Sequence, residues 1–462
     1  RSLRRKLAPI TMRATWLRPS TVALLWTAAL GNGCTSSLDC SLNGDCIDGM
    51  CHCDAPWSGG TCETMRFKPV KTIQGYGMQP NLTTWGGGAI FDGSKYHLYV
   101  DAMTNECPLS TWTKNSRIDH AVADAVEGPY TFQEVAVNTW SHNAAPVELA
   151  DGTFAIFHIG DGSGAPDGGQ NCSSGVFDSQ NDAELRAQAG STIHVSDSLE
   201  GPWTPLSPNT LGSCNNPAPW VHPNGTIYIV CSGKLKSAEN IHGPWTDVTS
   251  FSHDGGPPGN YEDPVLYTDK RGFHVFYHVY NYGDRDECVD ATVSAHVFSE
   301  DGYTWHASPI QPYTTQIEVE DGTTVTISTR ERPKLFFDRS GQMTHLFNGV
   351  CYATKCPSEK PCVDCKYTHW DYTLAQPLDL SPPTPAPFPP KPAGPGCTTE
   401  ADGYTCHEDS CSGNKLALAE PSLDCQGASD KWSCAVEKAK EACDNTAGCA
   451  SFGLSDEWGL YH

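Results

Sequence analysis

Two short polar clusters hold the acids best placed to do chemistry in this chain. Glu262-Asp263 stands directly before Pro264, and Arg330-Glu331-Arg332 stands directly before Pro333. Carboxylates gathered beside arginines can have their proton affinities pushed apart: repulsion and burial raise one, and the guanidinium groups lower another. Carboxylate acid/base chemistry needs that split, with one group giving a proton while its partner stays ionised as base or nucleophile. The candidate pair is therefore Glu262 or Asp263 together with Glu331, with Asp101 and Asp161 in reserve, each just past the end of an apolar strand. The same residues have plainer uses. An acid before proline at a strand entry caps a turn through backbone donors, and Arg-Glu-Arg can be an ion-pair network.

Both clusters open a recurring unit. Tyr261–His278 reads as a strand, a charged turn closing on Gly272, and a second strand rich in aromatics, the ingredients of a β-hairpin. Four sister units run from Gly86 to Val100, His142 to His158, Asn215 to Cys231 and Arg330 to Phe347. Three units lead to a further strand at Gly-Pro-aromatic, beginning at Glu127, Glu200 and His242. The turn glycines of successive hairpins lie roughly 45 to 75 residues apart, the range of four-stranded propeller blades. The expected fold class is all-β, with a five-bladed β-propeller over residues 64–378 flanked by small disulfide-rich modules.

The flanks differ in composition. Met12 to Gly33 has basic Arg13 and Arg18 before the apolar run Thr21–Leu30, a secretory signal pattern too short to span a bilayer. Twenty-two cysteines and the sequons at Asn81, Asn171 and Asn224 suit an oxidising, extracellular setting. Residues 379–396 are a proline-rich spacer with no core of its own, and residues 397–462 hold further cysteines and one predicted helix, Lys431 to Cys443. The formal net charge of −24 repels phosphate backbones and excludes nucleic acid as the expected partner. The 17 histidines show neither H-x-H nor H-E-x-x-H spacing, so no histidine metal site is expected.

Three resemblances sharpen this reading. Cys34, Cys40, Cys46, Cys51, Cys53 and Cys62, closing in C-H-C-D-A-P-W-S-G-G-T-C, resemble an EGF-like module over residues 34–63. That resemblance implies the pairs Cys34–Cys46, Cys40–Cys51 and Cys53–Cys62, where spacing alone permits fifteen connectivities. Cys434 to Phe452 resembles part of a PAN/apple-type binding module. The hairpins with their Gly-Pro-Trp blade ends resemble the family 43 glycoside hydrolase propellers of the arabinanase, levansucrase and invertase superfamily. In that fold the first strand of each blade lines a central channel. The resemblance thus implies that Trp85 to Gly87, His142-Asn143, Asn215-Asn216, Glu262-Asp263 and Arg330-Glu331-Arg332 converge at one end of it.

On that implication Trp85, His142, Asn143, Asn215, Asn216, Trp220, Arg330 and Arg332 are candidate substrate contacts, the two tryptophans as platforms for a sugar ring. Trp203, Trp245 and Trp305 are expected to pack between blades. Family members usually carry a base Asp before Pro at the first blade opening, where Gly87-Gly88 stands here. Either the catalytic acids have moved to blades four and five, or the pocket binds sugar without cutting it. The expected function is a secreted glycoside hydrolase acting on an extracellular or cell-wall polysaccharide, the other reading being a non-catalytic carbohydrate- or protein-binding propeller. No cofactor is expected, although the resemblance allows a structural cation in the channel. The expected partners are a glycan and, through the flanking modules, extracellular or cell-surface proteins.

Overall fold

The computed structural model describes residues 33–71, 75–79, 81–164, 169–177, 190–209, 211–231, 233–251, 260–280, 292–351 and 371–382. It also describes a short strand pair, Gly453–Leu454 with Leu460–Tyr461. The signal segment up to residue 32, most of the proline-rich spacer and the predicted helix at Lys431–Cys443 lie outside the described residues.

Five four-stranded antiparallel sheets make up the body. Their inner strands are Thr84–Phe91, Ser141–Glu148, Ala218–Val221, Asn260–Thr268 and Thr329–Phe337, which define blades 1 to 5. Each inner strand packs beside the next, and the fifth returns to the first, closing the propeller. The ring is sealed by an element with no hairpin signal. Gly75–Tyr76, only two residues long, supplies the outer strand of blade 5 by pairing with Thr373 and Leu374. Thr84 pins that seam, its Oγ1 donating to the Tyr76 carbonyl and accepting from the Thr373 amide.

The inner hairpins share one turn device. Asp92, Asp151, Asn224, Asp269 and Asp338 each accept a backbone N–H two residues on with the side-chain Oδ1. A short side-chain oxygen reaching forward in this way fixes the reversal that joins first strand to second. Aromatic residues then fill the space between blades, Trp203 against Tyr99 and Trp245 against Phe157, both edge-on. The Gly-Pro-aromatic signals mark the turn into each outer strand, as at Gly201-Pro202 before Thr204–Pro205.

Ahead of the propeller, Cys34–Cys46, Cys40–Cys51 and Cys53–Cys62 staple a cysteine-rich module too small to bury a core. It belongs to the same compact unit as the blades. Trp57 stacks on Phe276 and His296 of blade 4, and Arg271 reaches Asp45 and Asp54 at 2.9 and 2.6 Å.

Candidate functional site

The entry of each inner strand carries an irregularity that decides what lines the channel. Pairing with the second strand slips between Trp85 and Gly88, His142 and Ala145, Glu262 and Val265, and Glu331 and Lys334. These are β-bulges, and each has a residue in the left-handed region: Gly86 (φ 72°), Asn143 (φ 60°), Asp263 (φ 52°) and Arg332 (φ 52°). Blade 3 has Asn216 (φ 51°) just ahead of its inner strand. Glycine, asparagine and aspartate tolerate this conformation, whereas arginine adopts it only when surrounding contacts enforce it.

The left-handed residues of blades 2 to 5 meet across the axis. Asn143 Nδ2 donates to Asn216 Oδ1 at 3.0 Å and to Asp263 Oδ1 at 3.3 Å, and Arg332 Nε lies 3.5 Å from Asp263 Oδ2. Lys334, two residues past Arg332 in blade 5, donates to Asn143 Oδ1 at 3.2 Å. Asp101, fully buried, accepts the Asn143 and Ala144 amides and Arg332 Nη1 at 2.7, 3.1 and 3.0 Å. It is therefore an anchor of the bulges. Burial pushes the Asp263 carboxyl up to about 6, with Arg332 opposing and Glu262 and Glu331 reinforcing the rise. Burial likewise pulls Lys334 down to about 8, against the attraction of Asp263.

The bulge register makes Gly86, one position before the expected Gly87-Gly88, the equivalent of Asp263. A Cβ on Gly86 would lie 3.0 Å from Arg332 Cβ and 3.1 Å from its Cδ. The slot that a blade-one side chain would occupy is filled by the arginine of blade 5.

Beside this ring, Glu262, Asp263, His278 and Glu331 each bring an oxygen or nitrogen within 4.8 Å of the others. The Glu262 side chain is 37% exposed and that of Glu331 10%, while Asp263 is buried in the ring. Glu331 Oε1 accepts from Thr329 Oγ1 at 3.0 Å. As a resident cation site the group fits poorly. Asp263, one of its four groups, already faces a fixed cation, with Arg332 Nε 3.5 Å from its Oδ2.

The remaining candidates lie elsewhere. Arg330 is fully buried and turns into blade 5, donating to Asn348, Thr314 and Gln376 and lying over the Phe67 and Tyr313 rings. It is a packing cation, and burial pulls it down to about 10. Trp85 is buried among Met103, Cys107, Leu109 and Cys172, so it offers no open ring face to a sugar. Trp220 donates to Thr268 Oγ1 and packs edge-on against Tyr267 and Phe337 between blades. His142 is buried, with Nδ1 2.6 Å from Ser116 Oγ and 3.2 Å from Asp101 Oδ2. Asn215 is exposed, and Asp161 is an exposed turn residue accepting the Ser163 amide.

Three residues escaped the sequence reading as site groups. His278 is the direct cross-strand partner of Glu262, a relation recoverable by pairing the hairpin outward from its turn. Lys334 faces the ring only because the bulge shifts the alternation of its strand. Trp112, on the short helix Trp112–Asn115, stacks on His142 at 4.6 Å and stays partly exposed, a placement no local pattern announces.

No family model and no curated protein matches the chain. Among solved structures, a thermostable family-43 glycoside hydrolase is 12% identical, with TM-score 0.42, over 70% of this chain and 98% of that one. An endo-arabinase from Bacteroides thetaiotaomicron VPI-5482 is 12% identical, with TM-score 0.40, over 68% and 98%. A family 117 glycoside hydrolase from the marine bacterium Zobellia galactanivorans is 14% identical, with TM-score 0.42, over 70% and 93%. The five sheets establish the propeller on their own.

Proposed function

We propose that this chain is a secreted glycoside hydrolase acting on an extracellular polysaccharide, with Glu262 and Glu331 as its carboxyl pair. The observation that carries the reading is the convergence of these two side chains, from adjacent blades, to within 4.8 Å at the channel end, with Glu262 partly exposed. One oxygen from each at this range lets both carboxyl groups reach a single glycosidic bond, and the retaining arrangement, at about 5–5.5 Å, is the nearer of the two geometries. The more exposed Glu262 suits the acid/base role, which requires proton exchange with water between the two half-reactions. Glu331, less exposed and fixed by Thr329, suits the nucleophile. It would attack the anomeric carbon as Glu262 protonates the leaving oxygen, and water activated by Glu262 would then release the sugar. Exposed sequon asparagines at Asn81, Asn171 and Asn224 support the secreted setting.

The filled slot at Gly86 favours a second reading, a propeller that binds a glycan without cleaving it. Incubation with aryl glycosides and plant or algal polysaccharides separates the two. Hydrolysis by the wild type that falls about 10²-fold or more in Glu262→Gln and in Glu331→Gln supports the enzyme. Saturable glycan binding with no product supports the binding propeller. Activity unchanged in both variants would remove the residue assignment.

A further inference from the structure

His278 lies on the second strand of blade 4, Phe273–Tyr280, opposite Glu262, and is 2% exposed. Its two ring nitrogens face carboxylates from different blades. Nδ1 is 3.9 Å from Glu262 Oε1, and Nε2 is 3.8 Å from Glu331 Oε1. Two carboxylates at ion-pair distance, one facing each ring nitrogen, favour the imidazolium, which carries a proton on both. We infer that His278 is the positioning residue of the site, holding Glu262 and Glu331 apart at a fixed separation and coupling the protonation of one to the other. The kinetic side of this inference rests on the proposed hydrolase reading, whereas the charge coupling stands without it.

The surroundings supply the charge that such a role needs. Glu262 and Asp263 come from the inner strand of blade 4 and Glu331 from that of blade 5. Arg332, next in sequence, is engaged with Asp101 and Asp263. On the third strand His278 pairs with Ser294, which is uncharged. Burial alone would disfavour the imidazolium, but Glu331, Glu262 and Asp263 outweigh it and hold His278 above the usual histidine range. Without that cation the two glutamates would face each other across a few ångströms, where like charges force a shared proton or a separation.

The test is a histidine titration on the full chain, followed by carbon-detected NMR of ring-labelled protein, with the His278 signal assigned by its loss in His278→Gln. The expected signal titrates above the ordinary histidine value of about 6.5 and moves down in Glu331→Gln and in Glu262→Gln. A signal that titrates in the ordinary range in wild type and both variants would overturn the inference. So would a titration displaced by millimolar calcium, because the group would then be a cation site. If His278→Gln does not fold, the two glutamate variants still report the coupling through the native histidine.

Kinetics provide the second arm. His278→Gln is expected to lower kcat about 10- to 100-fold with KM little changed and to shift the pH profile, and His278→Lys to recover part of the loss. A merely structural histidine would show a lower melting temperature and an unshifted profile. Should the wild type cleave no glycan, the hydrolase reading fails while the NMR titration still decides the charge coupling.

Discussion

The two ends of each inner strand obey different rules. At the hairpin end an Asx turn recurs in all five blades, with Asp92, Asp151, Asn224, Asp269 and Asp338 as its acceptors. At the channel end the backbone recurs but the residues vary: Gly86, Asn143, Asn216, Asp263 and Arg332 share a left-handed φ, and only asparagine occurs twice. A repeated residue tells of a requirement common to every blade, namely reversing the chain. Four residue types on five equivalent positions tell of a single asymmetric surface assembled from one repeated backbone. Fold lies at one end of these strands and the candidate chemistry at the other.

The largest expected effect breaks the bulge ring. Arg332→Met removes the cation shared by Asp101 and Asp263, both buried, while keeping much of the side-chain volume. Leaving buried charges uncompensated typically costs about 3–5 kcal/mol. Thermal unfolding should show a fall of that order. At the hairpin end, Asp151→Ala loses one exposed turn acceptor and should cost only about 1 kcal/mol. Equal losses from the two variants would dissolve the distinction between the ends.

Acid separates the ring from the blade bodies by sign. His158 and His194, hydrogen-bonded at 2.7 Å behind the inner strand of blade 2, are pulled by burial to about 3 and about 4. The unfolded chain binds their protons first, so their contribution is intact above about pH 6.5 and is lost as pH falls toward 3–4. Asp263 behaves oppositely. Its folded value of about 6 lies above the unfolded 3.8, so the native state gains protons first and its contribution grows as pH falls through 6. Between pH 6 and 4, Asp263→Asn should therefore steepen the loss of stability, and His158→Gln should flatten it. Denaturant melts across that window check both signs, with changes on the order of 1–3 kcal/mol.

This division also marks what the sequence could show. The blades were legible because a hairpin with an Asp- or Asn-containing turn and a second strand of β-formers is a local pattern that recurs. The acids Glu262 and Glu331 were legible because they are exceptions to that repeat. Arg330 and Trp85 misled, since the bulge changes which neighbours in a run face the channel, and strand alternation alone does not locate the bulge. His278, Lys334 and Trp112 depend on cross-strand register, on the bulge or on an inserted helix. The two-residue strand Gly75–Tyr76 is too short for periodicity to register.

Gly86 offers a smaller and more discriminating perturbation. At φ 72° any side chain is strained, and a Cβ there meets Arg332 at 3.0 Å. Gly86→Asp, which places an acid on the first blade, should destabilise by about 1–3 kcal/mol through strain and displacement of Arg332. It should also lower, not raise, any glycosidase rate. A gain in hydrolysis would show that the slot accepts a carboxylate and that the arginine gives way.

The smallest effect belongs to the hairpin end of blade 4, where Arg271 reaches the cysteine-rich module. Its side chain is 6% exposed, but Asp45 and Asp54 are 53% and 48% exposed, so solvent screens both pairs. Arg271→Ala should cost no more than about 1 kcal/mol, and the cost should shrink as salt shortens the screening length. The module should stay docked, because Trp57 still lies on Phe276 and His296. Trp57→Ala is the sharper probe of that contact: it should speed proteolysis between Cys62 and Val70 while leaving the titration of His278 unchanged. A shift at His278 would mean that the two ends of the blade 4 hairpin are coupled through its second strand, and the separation drawn between them would fail there first.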